Sequence, residues 1–132
     1  MNALVETDGG VYAVDVETEE VVSFVPGASL DPPPPPHTDL PRVVAAAAAG
    51  STVVVAVDAK PPLYVSHDAG STWRESGRGL PVGRAVAVAS DDPDRVLFAT
   101  GERVYASRDG GRFWSRLATE LPEPIVALDW EA

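Results

Sequence analysis

The sequence predicts an all-β protein made of repeated four-stranded units, and two observations lead to this prediction. First, short apolar runs rich in valine alternate with turns of glycine, proline and aspartate along the 132 residues, which is typical of strands. Second, the segment at residues 66–73 returns at residues 107–114, an offset of 41 residues (107 − 66). A repeat of this length indicates an architecture in which one supersecondary unit is stacked several times.

Both of these segments, the box segments, read S-x-D-x-G-x-x-W. The pattern resembles the Asp-box, or bacterial neuraminidase repeat, which occurs on the blades of β-propellers such as sialidases, sortilin-type receptors and photosystem assembly factors. The resemblance implies a β-propeller of four-stranded antiparallel blades, in which the box shapes the hairpin between the two outer strands. The residues with this implied structural role are Ser66, Asp68, Gly70, Thr72, Trp73, Ser107, Asp109, Gly111 and Trp114.

The first repeat begins with three predicted strands and then a proline segment. The apolar runs 4–7 and 10–14 flank a hairpin signal at Asp8-Gly9, and residues 21–25 are the third strand. Five consecutive prolines at 32–36 predict a polyproline II spacer. The spacer is either a stiff connection between blades or a ligand for an aromatic-lined groove.

The alanine-rich run at residues 43–49 is predicted to be a strand, although alanine is the best helix former. The run is short and ends at Gly50, and its repeat equivalent at residues 84–89 alternates valine with alanine. The valine-rich run 52–57 follows as a buried strand.

Three repeats can be aligned on one tyrosine each, namely Tyr12, Tyr64 and Tyr105. The first repeat is degenerate, because Val14 and Val16 stand where the box has Ser and Asp. The first two tyrosines are 52 residues apart and the next two 41, so the first connection is 11 residues longer (52 − 41). The predicted boundaries are blade 1 at 1–30 with 124–130, the spacer at 31–41, blade 2 at 42–82 and blade 3 at 83–123.

The C-terminal strand has no blade of its own. Residues 124–127 align with residues 84–87, the start of an innermost strand, so this strand is predicted to complete blade 1. Three blades are too few to close a ring, since propellers have about four to eight. We therefore predict a homodimeric six-bladed ring in which each terminal strand completes the partner's first blade; the alternatives are a fragment or half of a hetero-oligomer. The closure residues are Ile125, Val126, Ala127, Leu128 and Trp130.

The composition excludes several classes of protein. The net charge is −10 and there is no cysteine, so disulfides and thiolate metal sites are excluded, and binding to nucleic acid or to anionic lipid is disfavoured. No export signal or membrane-spanning run is visible, which predicts a cytoplasmic protein. The acidic, arginine-rich and lysine-poor composition resembles that of halophilic archaea, with an acidic protein of a high-GC bacterium as the alternative.

No catalytic, cofactor-binding or metal-binding residue is predicted. The carboxylates of the box segments are expected to hold turns, and His37 and His67 have no partner at ligand spacing. Arg42 and Arg84 each precede an innermost strand, which in a propeller lies at one mouth of the axial channel. They are candidates for an anion or partner site, and the alternative is a local salt bridge for each.

The predicted function is that of a non-catalytic scaffold that presents its faces to a protein partner, which the sequence does not identify. The alternative function is a sialidase-like propeller that binds glycans or hydrolyses glycosides. Glycoside hydrolysis requires two facing carboxylates, and no such pair stands out in this sequence.

Overall fold

The computed structural model describes residues 1–131, and these residues form an all-β fold of three four-stranded antiparallel sheets. No helix that could serve as a membrane span occurs among them. The strands are β1 (Asn2–Thr7), β2 (Gly10–Asp15), β3 (Glu20–Pro26), β4 (Val43–Ala49), β5 (Thr52–Val57), β6 (Leu63–Ser66), β7 (Arg74–Ser76), β8 (Ala85–Ala89), β9 (Asp92–Ala99), β10 (Val104–Ser107), β11 (Ser115–Arg116) and β12 (Ile125–Trp130).

Sheet 1 has the order β12-β1-β2-β3, sheet 2 the order β4-β5-β6-β7 and sheet 3 the order β8-β9-β10-β11. In sheets 2 and 3 the strands lie side by side in chain order, whereas in sheet 1 the C-terminal strand β12 lies beside β1. The prediction of all-β structure with four-stranded antiparallel units is confirmed, and the architecture is consistent with a blade-type fold. The alanine-rich run is a strand as predicted; it is the first strand of sheet 2, where Ala46 pairs with Val55 of β5.

The three sheets pack face to face in the order 2–3–1. The innermost strand of sheet 3, β8, lies against β4 on one side and β12 on the other. One core fills the contact of sheets 2 and 3, and it includes Val54, Leu63 and Phe98. A second core fills the contact of sheets 3 and 1, and it includes Leu97 and Leu128. Sheets 1 and 2 thus form the two ends of an arc.

Strand alternation explains how sheet 3 serves two cores. Neighbouring residues of a strand point to opposite faces, so Phe98 faces sheet 2 while Leu97 faces sheet 1. Both side chains are fully buried. The same alternation divides β5, where Val54 faces sheet 3 and Val55 faces away from it.

The C-terminal strand joins sheet 1 of its own chain, where exchange with a partner was expected from the sequence. Strand β12 pairs with β1, and Val5 lies opposite Leu128. Two contacts bring the strand to this edge. The Ile125 N–H donates to the Gly101 carbonyl of sheet 3 at 2.8 Å, and the Glu123 carboxylate accepts the Thr7 hydroxyl at 2.8 Å. The terminal strand therefore needs no second chain to complete sheet 1.

The alignment of the C-terminal strand with the innermost strand of sheet 3 is wrong by two residues. Val5 and Phe98 are equivalent positions of the first and third repeats, 93 residues apart (98 − 5). Leu128 pairs with Val5, whereas Val86 pairs with Phe98. Leu128 therefore corresponds to Val86, the residue that the sequence alignment had matched with Val126. A shift of two residues keeps every side chain on its face, so the sequence pattern does not detect it.

The proline spacer crosses the innermost strands of all three sheets. A small cavity of about 140 Å³ lies between Pro32–Pro36 and strands β4, β8 and β12. At one end of the spacer, the Leu30 N–H donates to the Glu6 carboxylate of sheet 1 at 2.8 Å. At the other end, Leu40 packs on the cluster of buried valines of β5 in sheet 2. The spacer thus connects the two ends of the arc.

Candidate functional site

The first box segment is a closed set of local hydrogen bonds. The Ser66 hydroxyl donates to Asp68 Oδ1 at 2.7 Å and accepts the Gly70 N–H at 2.8 Å. The Asp68 carboxylate also accepts the Thr72 N–H at 2.8 Å and the Thr72 hydroxyl at 2.6 Å. Gly70 has a φ of +92°, a left-handed conformation that glycine adopts without a steric cost.

The second box segment repeats this arrangement without the threonine. The Ser107 hydroxyl donates to Asp109 Oδ1 at 2.8 Å and accepts the Gly111 N–H at 2.9 Å. Asp109 Oδ1 accepts the N–H groups of Arg112 and Phe113 at 3.1 and 3.0 Å. Phe113 occupies the position of Thr72, so the carboxylate receives no hydroxyl from this position.

These hydrogen bonds lower the pKa of both carboxyl groups. The hydroxyl and the N–H of Thr72, followed by the Ser66 hydroxyl, lower the pKa of Asp68 from 3.8 to about 2. Burial of Asp109 raises its pKa, but donors from Phe113, Ser107 and Arg112 outweigh burial and lower it. A general acid near neutral pH needs a raised pKa. Both carboxylates are instead ionised acceptors that hold their turns.

Trp114 of the second box segment joins sheet 3 to sheet 2. Its ring meets Phe98 edge to face at 6.0 Å between centroids. Its Nε1–H donates to the Ser76 hydroxyl of sheet 2 at 2.9 Å, and that hydroxyl donates to the Gly111 carbonyl of sheet 3. Trp73, the equivalent residue of the first box segment, packs on the opposite face of sheet 2, beside Val55.

The closure residues divide into two groups by burial, and Ala127 and Val126 are the less buried ones. A bulge at Val126, opposite Glu6 and Thr7, places Ile125 on the same face as Leu128 and Trp130. Ile125, Leu128 and Trp130 are buried in the core between sheets 3 and 1. Val126 is 39 % exposed, so it adds little to this core. The side chains that hold the terminal strand in place are therefore Ile125, Leu128 and Trp130.

Arg42 and Arg84 both have exposed side chains at the start of innermost strands. Neither guanidinium forms an ion pair with a carboxylate within residues 1–131. The strand registers show that Arg42 and Arg84 are not equivalent, because Ala45 and Ala85 pair with equivalent residues, Ala56 and Ala99. In the terminal strand, Val126 therefore corresponds to Arg84, whereas Pro124 corresponds to Arg42. The anion or partner site at these two arginines stays a prediction.

The outer faces of sheets 2 and 1 pack on no other sheet. The outer face of sheet 2 carries Val55, Tyr64 and Trp73, whose apolar neighbours all belong to sheet 2 or to the connections at Leu40 and Ala59. Tyr64 and Trp73 are the repeat equivalents of Tyr105 and Trp114. On sheet 3, these two equivalents lie in the core that faces sheet 2.

The outer face of sheet 1 is defined by the strand register. Leu4 pairs with Ala13, and Val11 pairs with Val25, so these four side chains lie on the side opposite the buried Val5. None of them belongs to the core shared with sheet 3. Val25 is 56 % exposed. Their repeat equivalents on sheet 3 include Leu97 and Val104, which are buried against sheet 1.

Sequence reasoning missed a cavity of about 340 Å³ between sheets 3 and 1, where Arg95 and Arg108 meet Glu17. The only signal was the degenerate first repeat, which lacks the Ser and Asp of the box. No group of three or more His, Asp or Glu side chains in residues 1–131 is arranged to hold a metal ion.

Comparison with protein-family models finds no match to this chain, and comparison with curated protein sequences finds none either.

Proposed function

We propose that this chain is a non-catalytic β-propeller module of the Asp-box type, and that two copies assemble into a six-bladed ring. One observation carries the proposal. The outer faces of sheets 1 and 2 carry the repeat equivalents of residues that are buried between sheets inside the chain. Each outer face, called an open face because no second sheet packs on it, therefore has the composition of a contact between two sheets inside the chain.

The order of the sheets gives this ring a simple symmetry. An arc in the order 2–3–1 presents the outer face of sheet 2 at one end and that of sheet 1 at the other. A second copy related by a two-fold axis brings sheet 1 of each chain against sheet 2 of the other. The two new contacts are identical, as a closed two-fold assembly requires, and neither requires exchange of strand β12.

The length of the spacer supports this assembly. In a ring of two arcs, the connection from β3 to β4 must pass between the two ends of one arc. The first connection is 11 residues longer than the next one (52 − 41), and the prolines lie across the innermost strands. If the spacer instead ran from sheet 1 of one chain to the neighbouring sheet of the ring, it would join adjacent blades, and the additional residues of the spacer would not be needed.

The net charge makes the proposed assembly dependent on salt. Two chains of charge −10 repel each other when they associate, and salt screens this repulsion over a distance of about 10 Å at 0.1 M. The apolar contact of the open faces is not weakened by salt. We therefore expect the ring to be more stable in molar salt than at low ionic strength.

The proposed role of the ring is to present its loops and its two mouths to a protein partner, because rigid blades support variable loops. Arg42 and Arg84 of both chains would place four guanidinium groups on an acidic ring. Such a cluster suits an anion or an acidic segment of the partner. The box carboxylates do not suit glycoside hydrolysis, because all of their hydrogen bonds are local.

The test is the molar mass measured by light scattering after size exclusion, at low and at molar salt. The monomer has a mass of 13.8 kDa, and the proposal expects twice this mass in molar salt. Val25→Glu places a charge on the open face of sheet 1 and should give a monomer. Val22→Glu is the control, since Val22 has a similar exposure, 53 % against 56 %, at a bulge of the same strand.

A wild-type monomer at both salt concentrations would contradict the ring. Equal effects of the two valine variants would show that association does not use the open face. If wild-type protein pairs only with another protein of the native host, the chain is half of a hetero-oligomer. Hydrolysis of a glycoside substrate by the purified chain would support the alternative of a sialidase-like enzyme.

A further inference from the structure

The proline spacer is held at both ends and exposed between them. At its start, the Leu30 N–H donates to the Glu6 carboxylate at 2.8 Å, and at its end Leu40 packs on the buried valines of β5. Between these two contacts, Pro32–Pro35 are exposed and Pro36 is half-buried. The segment is therefore fixed in place while most of its surface stays open to solvent.

Covalent geometry gives these prolines one conformation, the polyproline II helix. The peptide bonds before all of them are trans, and each proline ring fixes φ at about −65°. A residue that precedes a proline is kept out of the α region, and this applies to Asp31 and to Pro32–Pro35. The polyproline II helix has about three residues per turn and rises about 3.1 Å per residue. Pro32 and Pro35 thus lie on the same side of the helix, about 9 Å apart.

One side of this helix faces the innermost strands and another side is free. The cavity of about 140 Å³ beneath the spacer is lined by Pro32, Pro33, Pro34 and Pro36. Pro35 is exposed and does not line this cavity, so its ring points away from the strands. Pro32, which is also exposed, lies one turn earlier on the side of Pro35. These two rings form the outer side of the spacer.

The main chain of the segment offers free hydrogen-bond acceptors. Proline has no N–H group, and the carbonyl oxygens of Pro32–Pro36 accept no hydrogen bond within residues 1–131, where these prolines belong to no strand. Aromatic-lined grooves recognise this combination of features. Proline rings pack on aromatic faces, and indole N–H or phenol O–H groups beside them can donate to the carbonyl oxygens.

The flanks of the segment are acidic. Asp31 precedes the prolines and is exposed. After them, the His37 ring lies 3.5 Å from the Asp39 carboxylate, and both of these side chains are almost fully exposed. The whole chain carries a net charge of −10. A groove that receives the prolines therefore has the complementary charge when basic side chains lie beside its aromatic residues.

We propose that the proline spacer is a preformed ligand for a partner protein that has an aromatic-lined groove flanked by basic side chains. Pro32 and Pro35 pack on the aromatic rings, and the free carbonyl oxygens accept hydrogen bonds from the groove. Because both ends of the spacer are already fixed, binding orders few further residues and costs little conformational entropy. The ligand lies within one chain and does not rest on the proposed ring; it adds a class of partner to the scaffold role.

The experiment titrates the unlabelled full chain into two ¹⁵N-labelled probes, an SH3 domain and a WW domain, each chosen for basic side chains beside its groove. Binding is followed through the indole N–H signal of the probe's groove, at low ionic strength and up to about 1 mM of chain. We expect at least one probe to bind in a saturable way, and more tightly than it binds a free peptide of residues 30–40, whose ends are not fixed. The Val25→Glu chain, which is expected to stay a monomer, should bind equally well.

One variant and its matched control test which side of the helix is recognised. Pro35→Ala should weaken binding about tenfold, because two methylene groups that pack on the groove are lost. Pro36→Ala makes the same chemical change one residue later, where the ring is half-buried and lines the cavity, and it should bind like the wild-type chain. Asp39→Asn should weaken binding at low ionic strength and have no effect in molar salt, since salt screens the attraction of the acidic flank.

Binding of the free peptide without binding of the full chain would overturn the proposal, because the spacer would then be a covered connection between blades. No binding of the full chain to either probe at about 1 mM would overturn it as well. Equal losses in Pro35→Ala and Pro36→Ala would contradict recognition of the exposed side. A wild-type monomer in light scattering would contradict the ring alone and would leave this ligand in place.

Discussion

Sheet 3 packs on sheet 2 with one face and on sheet 1 with the other. Next to the second box segment, the two contacts differ in how their polar groups are paired. Towards sheet 2, the Trp114 Nε1–H, the Ser76 hydroxyl and the Gly111 carbonyl form a continuous chain of hydrogen bonds across the contact. Towards sheet 1, Leu117 stands in the repeat position of Ser76, and the buried N–H of Trp130 has no acceptor among residues 1–131. The first contact is closed by polar groups, whereas the second leaves a cavity.

The difference originates in the degenerate first repeat. In place of the box, Asp15 holds the turn after β2, since its Oδ1 accepts the N–H groups of Glu17 and Thr18 at 2.8 and 3.1 Å. The hydrogen bond from the Thr18 N–H has the larger effect and that from the Glu17 N–H the smaller one, and together they lower the pKa of Asp15. The turn is thus preserved without a box, but no tryptophan follows it to reach the neighbouring sheet. A box segment accordingly has two separable roles, to shape a hairpin and to close the groove beside it.

The largest expected effect is on the free energy of unfolding, and it compares the two cores through one pair of equivalent residues that differ in size. Phe98 and Val5 are repeat equivalents and both are fully buried. Phe98→Ala should lower the free energy of unfolding by about 3–5 kcal/mol, and Val5→Ala by about 2 kcal/mol, because the cavity left by phenylalanine is larger. Urea unfolding followed by far-UV circular dichroism gives both values. A cost for Val5→Ala equal to that for Phe98→Ala would show that the contact with sheet 1 is the tighter one.

The next comparison uses Trp114 and Trp130, one at each contact of sheet 3. Trp114→Phe removes the donor to Ser76 and should cost about 1–2 kcal/mol of unfolding free energy. Trp130→Phe removes an N–H that has no acceptor in residues 1–131, so the loss should be about 0.5 kcal/mol or less. The measurement is the urea midpoint of unfolding of the two variants and of the wild-type protein. If Trp130→Phe is the more damaging of the two, its N–H is satisfied in solution by a group within the protein.

The smallest expected effect concerns pH and the turn of the first box segment. The pKa of Asp68 is lowered from 3.8 to about 2 on folding, so the unfolded chain binds a proton at higher pH than the folded chain does. The contribution of Asp68 to stability is therefore complete above about pH 4, and it is lost as the pH falls towards 2. We expect the urea midpoint to fall over this range, and to fall less in Asp68→Asn. An unchanged slope in that variant would show that other carboxylates cause the acid sensitivity.

Much of the local structure could be predicted from the sequence because its interactions are local. The bonds from Ser66 to Asp68 and from Asp68 to Thr72 connect residues two to four positions apart, so the spacing of the letters is enough to indicate the turn. The strand at Val43–Ala49 was also predictable, since a repeat equivalent with valines resolved the ambiguity of alanine. In both cases the deciding partners are near in sequence or repeated at a fixed period.

The sheet order and the cavity could not be predicted because they depend on distant contacts. The pairing of Leu128 with Val5 joins the two ends of the chain, and a register two residues away would bury the same faces. The shared ion pairs of Glu17 with Arg95 and Arg108 cross 78 and 91 residues, and no spacing rule relates such positions.

By itself, the sequence determined the strands, the repeat and the hydrogen-bonded turns of the box segments, because backbone pairing and side-chain alternation are read from residues close together. Only the tertiary structure decided that strand β12 completes sheet 1 of its own chain, and that the buried Trp130 N–H has no acceptor in the described part of the chain, residues 1–131. Those outcomes depend on how whole faces fit together, and the fit of two faces is a property of all of their side chains at once.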